Sequence, residues 1–310
     1  MGLRIVFMGT PEFAVPSLEV LHRSQHQVVA VVTSADKYGG RGRQRLLQSA
    51  VKRYALQHEL PILQPRNLKH PDFTEQLASF HADLQVVVAF RMLPEVVWNM
   101  PPLGTMNLHG SLLPRYRGAA PINWAIINGE SVTGVTTFML KHEIDTGDML
   151  MQREIPILPD DTAGTLHDRM KEIGAQVVVE SVDRIACGDL TTIAQDPALV
   201  SKAPKIHHET CEIDFAQPTQ RVYNFIRGLS PYPTAWTRID GKQFNIYRCH
   251  PVTTEQQLEP GTILTNTKDI LDLITQDGAI RVDQLQLEGR KRMATPDFLN
   301  GYQITSKTVG

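Results

Sequence analysis

A chain of 310 residues, 42% hydrophobic and 21% charged, has apolar material for about two folded domains and is not a disordered polyelectrolyte. Its net charge of −2 excludes nucleic-acid affinity arising from overall charge and leaves any such affinity to a local stripe. The three cysteines, Cys187, Cys211 and Cys249, lie far apart and match no metal-site or redox spacing, which indicates a reducing compartment.

The opening M-G-L-R-I-V-F-M-G is too short an apolar stretch for a signal peptide, and Val6 stands where a myristoylation signal needs Ser or Thr. No run reaches membrane-spanning length, so a cytoplasmic, soluble protein is expected. Leu3–Met8 is a continuous apolar run ending in Gly9-Thr10-Pro11, a buried parallel strand entering a turn. A single glycine there, with Glu12 where a pyrophosphate would sit, argues against NAD. Helical spacing follows at Leu18 and Leu21. Strands are expected at Val28–Thr33 and Leu84–Phe90, and helices at Leu46–Glu59 and Pro71–Phe80. Ala119–Asn128 reads as helix, Val132–Leu140 and Met149–Glu154 as strands, and Thr162–Cys187 as a long helix capped by its threonine. This alternation predicts an α/β fold with a doubly wound, mostly parallel sheet.

Periodicity fades between residues 188 and 206, where Pro197 and Pro204 suit a linker. Beyond it a helix, Thr219–Gly228, precedes short strand-like pieces at Ala235–Ile239, Gln243–His250, Thr262–Thr265 and Ala279–Gln286. Asp240-Gly241 and Asp277-Gly278 supply hairpin signals between them. A small OB-like β-barrel is the natural product. The expected division is therefore 1–187, a linker at 188–206, and 207–310.

Two stretches carry chemistry. Thr105–Pro121 reads T-M-N-L-H-G-S-L-L-P-R-Y-R-G-A-A-P. Asn107 and His109, two apart on an extended backbone, leave the same face. An amide donor beside an imidazole suits a carbonyl whose oxygen turns negative during reaction. Gly110 lets the backbone approach a ligand, and Ser111-Leu112-Leu113-Pro114 adds a hydroxyl, an apolar wall and a fixed turn. The second stretch, Gly134–Met149, runs from a strand into Asp145-Thr-Gly-Asp148. A carboxylate there would orient the His109 ring; alternatively, the aspartates bond their own backbone in an Asx-type turn. Lys37, Arg41, Arg43 and Arg45 stand against Asp36 alone in a glycine-rich stretch that lacks a P-loop ending. Such a loop can embrace a phosphate backbone or be ordinary solvated surface. After Ile206, 11 Lys/Arg oppose 12 Asp/Glu, with Arg290-Lys291-Arg292 and Arg221/Arg227 as the candidate stripe.

With Asn107-Leu-His109-Gly-Ser-Leu-Leu-Pro-Arg-Tyr-Arg-Gly-Ala-Ala-Pro121 and Ile144-Asp145-Thr-Gly-Asp-Met149 in view, the chain resembles the methionyl-tRNA formyltransferase family over essentially its full length. Met8-Gly-Thr-Pro-Glu-Phe13, Gly40-Arg-Gly42, Pro231-Tyr-Pro-Thr-Ala-Trp236 and Pro260-Gly-Thr-Ile263 belong to the same likeness. The resemblance implies a Rossmann-like catalytic domain with catalytic roles for Asn107, His109 and Asp145, followed by a tRNA-binding barrel. It implies a site for 10-formyltetrahydrofolate along Ser111, Leu112, Leu113 and Pro114, walled by Phe90, Arg91, Met92 and Leu93 and by the turn before Asp145. It implies contact between Arg41, with Arg43 and Arg45, and the acceptor end of initiator methionyl-tRNA. No metal, no membrane and a monomer are expected. Phe90-Arg91 departs from the family's usual Tyr-Gly and looks closer to the purine-pathway formyltransferase. Formyl-folate enzymes acting on an amino sugar or on water share much of the first stretch. A non-catalytic RNA-binding adaptor would have no need of Asn107, His109 and Asp145 together.

Overall fold

Strands form where the sequence is apolar and β-branched on both faces, and helices cover them. A computed structural model describes residues 2–39, 45–254 and 258–310; Arg41, Arg43 and the side chain of Arg45 lie outside the described residues. In chain order the elements begin with β1 (Arg4–Gly9), α1 (Val15–His22), β2 (Gln27–Val32), β3 (Lys37–Gly39) and β4 (Arg45–Leu47). Next come α2 (Ala50–Gln57), β5 (Ile62–Leu63), α3 (Pro71–Ala78), β6 (Leu84–Val88) and α4 (Glu95–Trp98). β7 (Thr105–His109), β8 (Arg117–Gly118), α5 (Pro121–Ile127), β9 (Val132–Met139), β10 (Met149–Pro156) and α6 (Ala163–Ala186) follow.

The chain divides into two compact units: residues 1–118, 134–155 and 167–202, and residues 119–133, 156–166 and 203–310. In the first, seven strands run in the order β10-β9-β7-β6-β1-β2-β5. β1 pairs in parallel with β2 and β6, and β7 in parallel with β6, whereas β9 is antiparallel to β7. All five residues of β6 are buried, as expected for a parallel strand covered on both faces. This is the doubly wound, mostly parallel sheet expected from the sequence. Because β1 lies between β2 and β6, the order reverses there, and the carboxyl ends of the strands at such a reversal are where open α/β sheets take their ligands.

One expected helix is shorter than its apolar pattern suggested. α2 starts at Ala50, where Ser49 accepts a capping bond from the Lys52 amide at 2.9 Å, rather than at Leu46. Leu46 and Leu47 instead stand 45% and 50% exposed in a two-stranded ribbon of β4 with β3. Two adjacent leucines mimicked a helical face, and the pairing of residues 37–39 with 45–47 overrode it.

The second unit holds β11 (Lys202–Ala203) in part, then α7 (Thr219–Leu229), β12 (Ala235–Ile239), β13 (Lys242–Val252) and β14 (Ile263–Thr265). It ends with β15 (Leu271–Ile274), β16 (Ala279–Leu287), β17 (Met293–Ala294) and α8 (Thr295–Gly301). Its antiparallel sheet runs β12-β13-β16-β15-β14 with β17 on β16, a curled half-barrel. Register shifts in β13 at Ile246/Arg248 and Arg248/Cys249 supply bulges of the kind that bend a strand. Phe244, Phe298, Leu271, Leu273 and Ile280 fill its concave side. The separation of the chain into 1–187, 188–206 and 207–310 follows sequence position; packing also draws residues 119–133 and 156–166 into the second unit. There the Asn123 amide donates to the Gly228 carbonyl at 2.8 Å and the Tyr223 hydroxyl to the Pro159 carbonyl at 3.1 Å. Strand β15, whose Asp272 pairs with the half-buried Arg281 at 2.7 Å, and helix α8 carried no clear sequence signal.

Candidate active site

β7 is hydrogen-bonded on both edges, Asn107 lying opposite Val87 of β6 and Phe138 of β9, so its register is fixed. Asn107 is half-buried and His109 is 7% exposed. No described residue hydrogen-bonds the Asn107 carboxamide, which leaves both its donors uncommitted. His109 Nε2 lies 2.9 Å from the Tyr116 carbonyl oxygen. A carbonyl can only accept, so Nε2 carries hydrogen and Nδ1 is the nitrogen left for chemistry. Nδ1 faces Asp145 Oδ2 at 3.9 Å, beyond direct hydrogen-bond length but within ion-pair range.

The open question of the aspartate turn is decided by its partners. Asp145 Oδ2 accepts from the backbone amide of Gly118 at 2.9 Å, a residue 27 positions away, not from its own turn. Asp148 accepts from Lys141 Nζ at 2.9 Å. Asp145 has φ 55 and Tyr116 φ 59, the left-handed region that costs a non-glycine residue roughly 1–3 kcal/mol. Gly147 is required sterically, since a Cβ there would sit 1.6 Å from the Met139 carbonyl oxygen. From 50 residues further on, the Gln195 side chain donates to the carbonyls of Asp145 at 2.9 Å and Gly147 at 2.8 Å.

Residues 111–114 form the turn under His109. Ser111 is fully buried and its hydroxyl donates to the Arg115 carbonyl at 2.6 Å, while Thr136 donates to the Ser111 carbonyl at 2.6 Å. Leu112 packs over Gly134, Leu113 joins a buried cluster with Phe138 and Met149, and Pro114 is buried. Arg91, Met92 and Leu93 instead line a groove of 720 Å³ with Arg66, Asn67, Lys69, Glu95 and His142. Arg91 donates to the carbonyls of Pro65 at 2.5 Å and Arg66 at 3.0 Å, its guanidinium 5.7 Å from the Phe90 ring centre. The sequence-expected folate residues thus divide between a groove wall (91–93) and a supporting turn (111–114), while Phe90 packs against the core behind that wall. Among the described residues no group of three or more His, Cys, Asp or Glu could hold a metal ion, and no helix is long and apolar enough to cross a membrane.

At the root of the basic loop, Lys52 donates to Asp36 at 2.5 Å and Gln64 to the other Asp36 oxygen at 2.8 Å. The Lys52 ammonium, then the Gln64 amide, hold the Asp36 carboxyl below its ordinary range. In the second unit, Arg292 lies over the Tyr247 ring at 4.0 Å, Arg290 over Tyr302 at 5.2 Å and Arg238 over Trp236 at 5.7 Å. Trp236 is buried, whereas Tyr247 and Tyr302 are half-buried under exposed arginines, an arrangement that suits RNA bases and phosphates. Arg227 does not belong to that stripe: 8% exposed, it donates to Asn224 Oδ1 at 2.9 Å and to the Asp161 carbonyl at 2.9 Å. Burial in a polar helix seam is its role, whereas Arg221 is exposed. Sequence reasoning missed Tyr116, Gln195 and the ring partners Tyr247 and Tyr302; a main-chain acceptor and a remote amide leave no spacing signal.

A family model described as formyl transferase matches residues 3–182, and one described as formyl transferase, C-terminal domain, matches residues 205–303. Similar curated proteins include the methionyl-tRNA formyltransferase of Parabacteroides distasonis, 52% identical over 99% of this chain and 98% of that one. The methionyl-tRNA formyltransferase of Flavobacterium johnsoniae is 48% identical over 98% of each chain. Among solved structures, HypX from Aquifex aeolicus in complex with tetrahydrofolic acid aligns with a TM-score of 0.67 at 21% identity, covering 96% of this chain and 46% of that one. WlaRD, a sugar 3N-formyl transferase, aligns with a TM-score of 0.67 at 18% identity, covering 94% and 100%. These two share the fold.

Proposed function

The chain belongs to the formyl transferase family, and we propose that it moves the formyl group of 10-formyltetrahydrofolate onto the α-amino group of methionyl initiator tRNA. The product, N-formylmethionyl-tRNA, serves translation initiation. Support for the acceptor comes from relatives about half identical along nearly the whole chain that carry this name. The observation that carries the chemistry is the free Asn107 carboxamide on the same strand face as His109, whose Nδ1 looks at Asp145 across 3.9 Å.

In this scheme the neutral amine attacks the formyl carbon, forming the new C–N bond while the carbonyl oxygen becomes an oxyanion. Asn107 donates to that oxygen. Asp145 and His109 Nδ1 take the proton lost by the amine and return one to N10 of the folate, whose bond to the formyl carbon then breaks. Arg91, Met92 and Leu93, with Phe90, form the wall for the folate, and Ser111 to Pro114 hold the floor of the site. No metal and no covalent enzyme intermediate enter the scheme. Arg41, Arg43 and Arg45 grip the acceptor end of the tRNA, and the part after residue 206 holds its body. The catalytic part lies within residues 1–187, apart from 119–133 and 156–166, which pack in the second unit, and 188–206 lead from it to the part that follows. The protein works as a monomer in the cytoplasm, where its charged tRNA substrate resides and its three cysteines stay reduced.

The experiment offers the purified protein 10-formyltetrahydrofolate with initiator methionyl-tRNA, elongator methionyl-tRNA, an amino sugar nucleotide, or water alone. Formyl transfer to initiator methionyl-tRNA is the expected result. Turnover with the sugar or with water, and none with the tRNA, overturns the acceptor assignment.

A further inference from the structure

We propose that residues 193–201 form a strap across the reaction centre, with Gln195 and Ser201 as positioning residues for Asp145 and His109. The segment lies between the two matched family regions, which end at 182 and resume at 205, and its sequence reads as linker. The proposal rests on the catalytic roles given above to His109 and Asp145.

The strap is pinned at three points. Ile193 exchanges two backbone hydrogen bonds with Met149, each 2.8 Å, which extends the sheet just beyond the aspartate turn. Gln195 then uses its whole amide. Its Nε2 donates to the carbonyls of Asp145 and Gly147, and its Oε1 accepts from Arg117 Nε at 3.0 Å and Nη2 at 2.6 Å. Arg117 precedes Gly118, whose amide donates to the Asp145 carboxylate at 2.9 Å. Backbone and side chain of Asp145 are therefore tied to one closed ring of bonds. At the third point Ser201 Oγ accepts from the Tyr116 amide at 2.9 Å, and the Ser201 carbonyl accepts from the Arg117 amide at 2.9 Å. Tyr116 in turn offers its carbonyl to His109 Nε2 at 2.9 Å.

What singles out these anchors is where they fall. Tyr116 and Asp145 both hold left-handed backbone conformations, with φ 59 and 55, and the strap bonds to each. A non-glycine residue stays there only when its surroundings over-determine it. Let go, the Tyr116 carbonyl turns from Nε2 and the Asp145 carboxylate turns from Nδ1. The tautomer and the separation of the pair change together, without loss of any group that touches substrate.

The test compares full-length wild type with Gln195→Ala, Gln195→Glu and Ser201→Ala in formyl transfer to initiator methionyl-tRNA. Loosening a supporting hydrogen bond predicts that kcat falls roughly 10–100-fold in each, with both KM values held within about twofold. The pH profile of kcat should change shape as well, which ordinary loss of stability would not cause. Gln195→Glu should not rescue, because a carboxylate would confront two carbonyl oxygens. A second readout needs no acceptor: the imidazole ring NMR signals of His109 should move in Gln195→Ala and Ser201→Ala. Wild-type kcat, pH profile and His109 signals in these variants overturn the strap. An inactive wild type whose His109 signals still move overturns the acceptor assignment and leaves the strap standing. If Gln195→Ala does not fold, Ser201→Ala, which removes one hydroxyl, decides by the same criteria.

Discussion

His109 has one ring nitrogen fixed to a main-chain carbonyl and the other turned toward a carboxylate, so its chemistry is directional. In the proposed scheme Asn107 supplies the complementary donor, and its carboxamide has no competing partner among the described residues. Removing one oxyanion donor typically costs roughly 10²–10³ in kcat, so Asn107→Ala should lose about that with folate affinity nearly unchanged. Single-turnover kinetics at saturating folate measures this, and a loss below about threefold would count against an oxyanion role. Proton transfer contributes roughly 10²–10⁴, so Asp145→Asn should lose at least as much as Asn107→Ala. At this scale the sequence was legible where strand geometry dictates the answer. Asn107 and His109 had to share a face because the side-chain period of a strand is two. Asp145 was ambiguous on paper, and its bond to the Gly118 amide came from a segment no local pattern could bring near.

Turns between elements carry much of the positioning. Gly147 sits where the backbone of the aspartate turn presses on Met139, and any side chain must displace one of them. Gly147→Ala should therefore swing Asp145 away, cutting activity at least as far as Asp145→Asn, with thermal unfolding at a lower temperature; wild-type activity in this variant would show the turn to be tolerant. The β12–β13 hairpin closes on Asp240 at φ 51 and Gly241 at φ 72, the pair of positive angles a two-residue turn of this kind demands, and the Asp-Gly sequence announced it. Its carboxylate was not legible as a hub. Burial pulls the Asp240 carboxyl upward, but the hydroxyls of Thr305, Ser306 and Tyr302 and the Ser306 amide outweigh it and hold it well below the usual range. A depressed carboxyl contributes stability that is complete above its unfolded value of about 3.9 and is lost as pH falls toward its folded value. Asp240→Asn should thus be less stable than wild type by roughly 1–3 kcal/mol at pH near 7, a gap that narrows below pH of about 4. Urea unfolding at the two pH values measures it, and an unchanged gap would contradict the hub.

For the whole molecule a net charge of −2 gives no hint of a polyanionic substrate, so attraction must be local. Each phosphate contact should add roughly −0.7 to −0.9 to the salt slope of tRNA affinity. Arg292→Ala and Arg41→Ala should each make the slope shallower by about one contact and leave folate binding untouched; a slope unchanged in both would remove these arginines from the tRNA surface. The architecture was largely legible, since alternating strands and helices followed by short strands admit few arrangements. What position along the chain cannot express is return. The backbone passes between the units at 118/119, 133/134, 155/156, 166/167 and 202/203, five times in all. A protease that nicks the chain near exposed Leu190 would therefore leave residues 119–133 and 156–166 of the upstream fragment still packed in the second unit with the downstream one. Such a cut protein would migrate as one particle on a sizing column and as two bands after boiling in detergent.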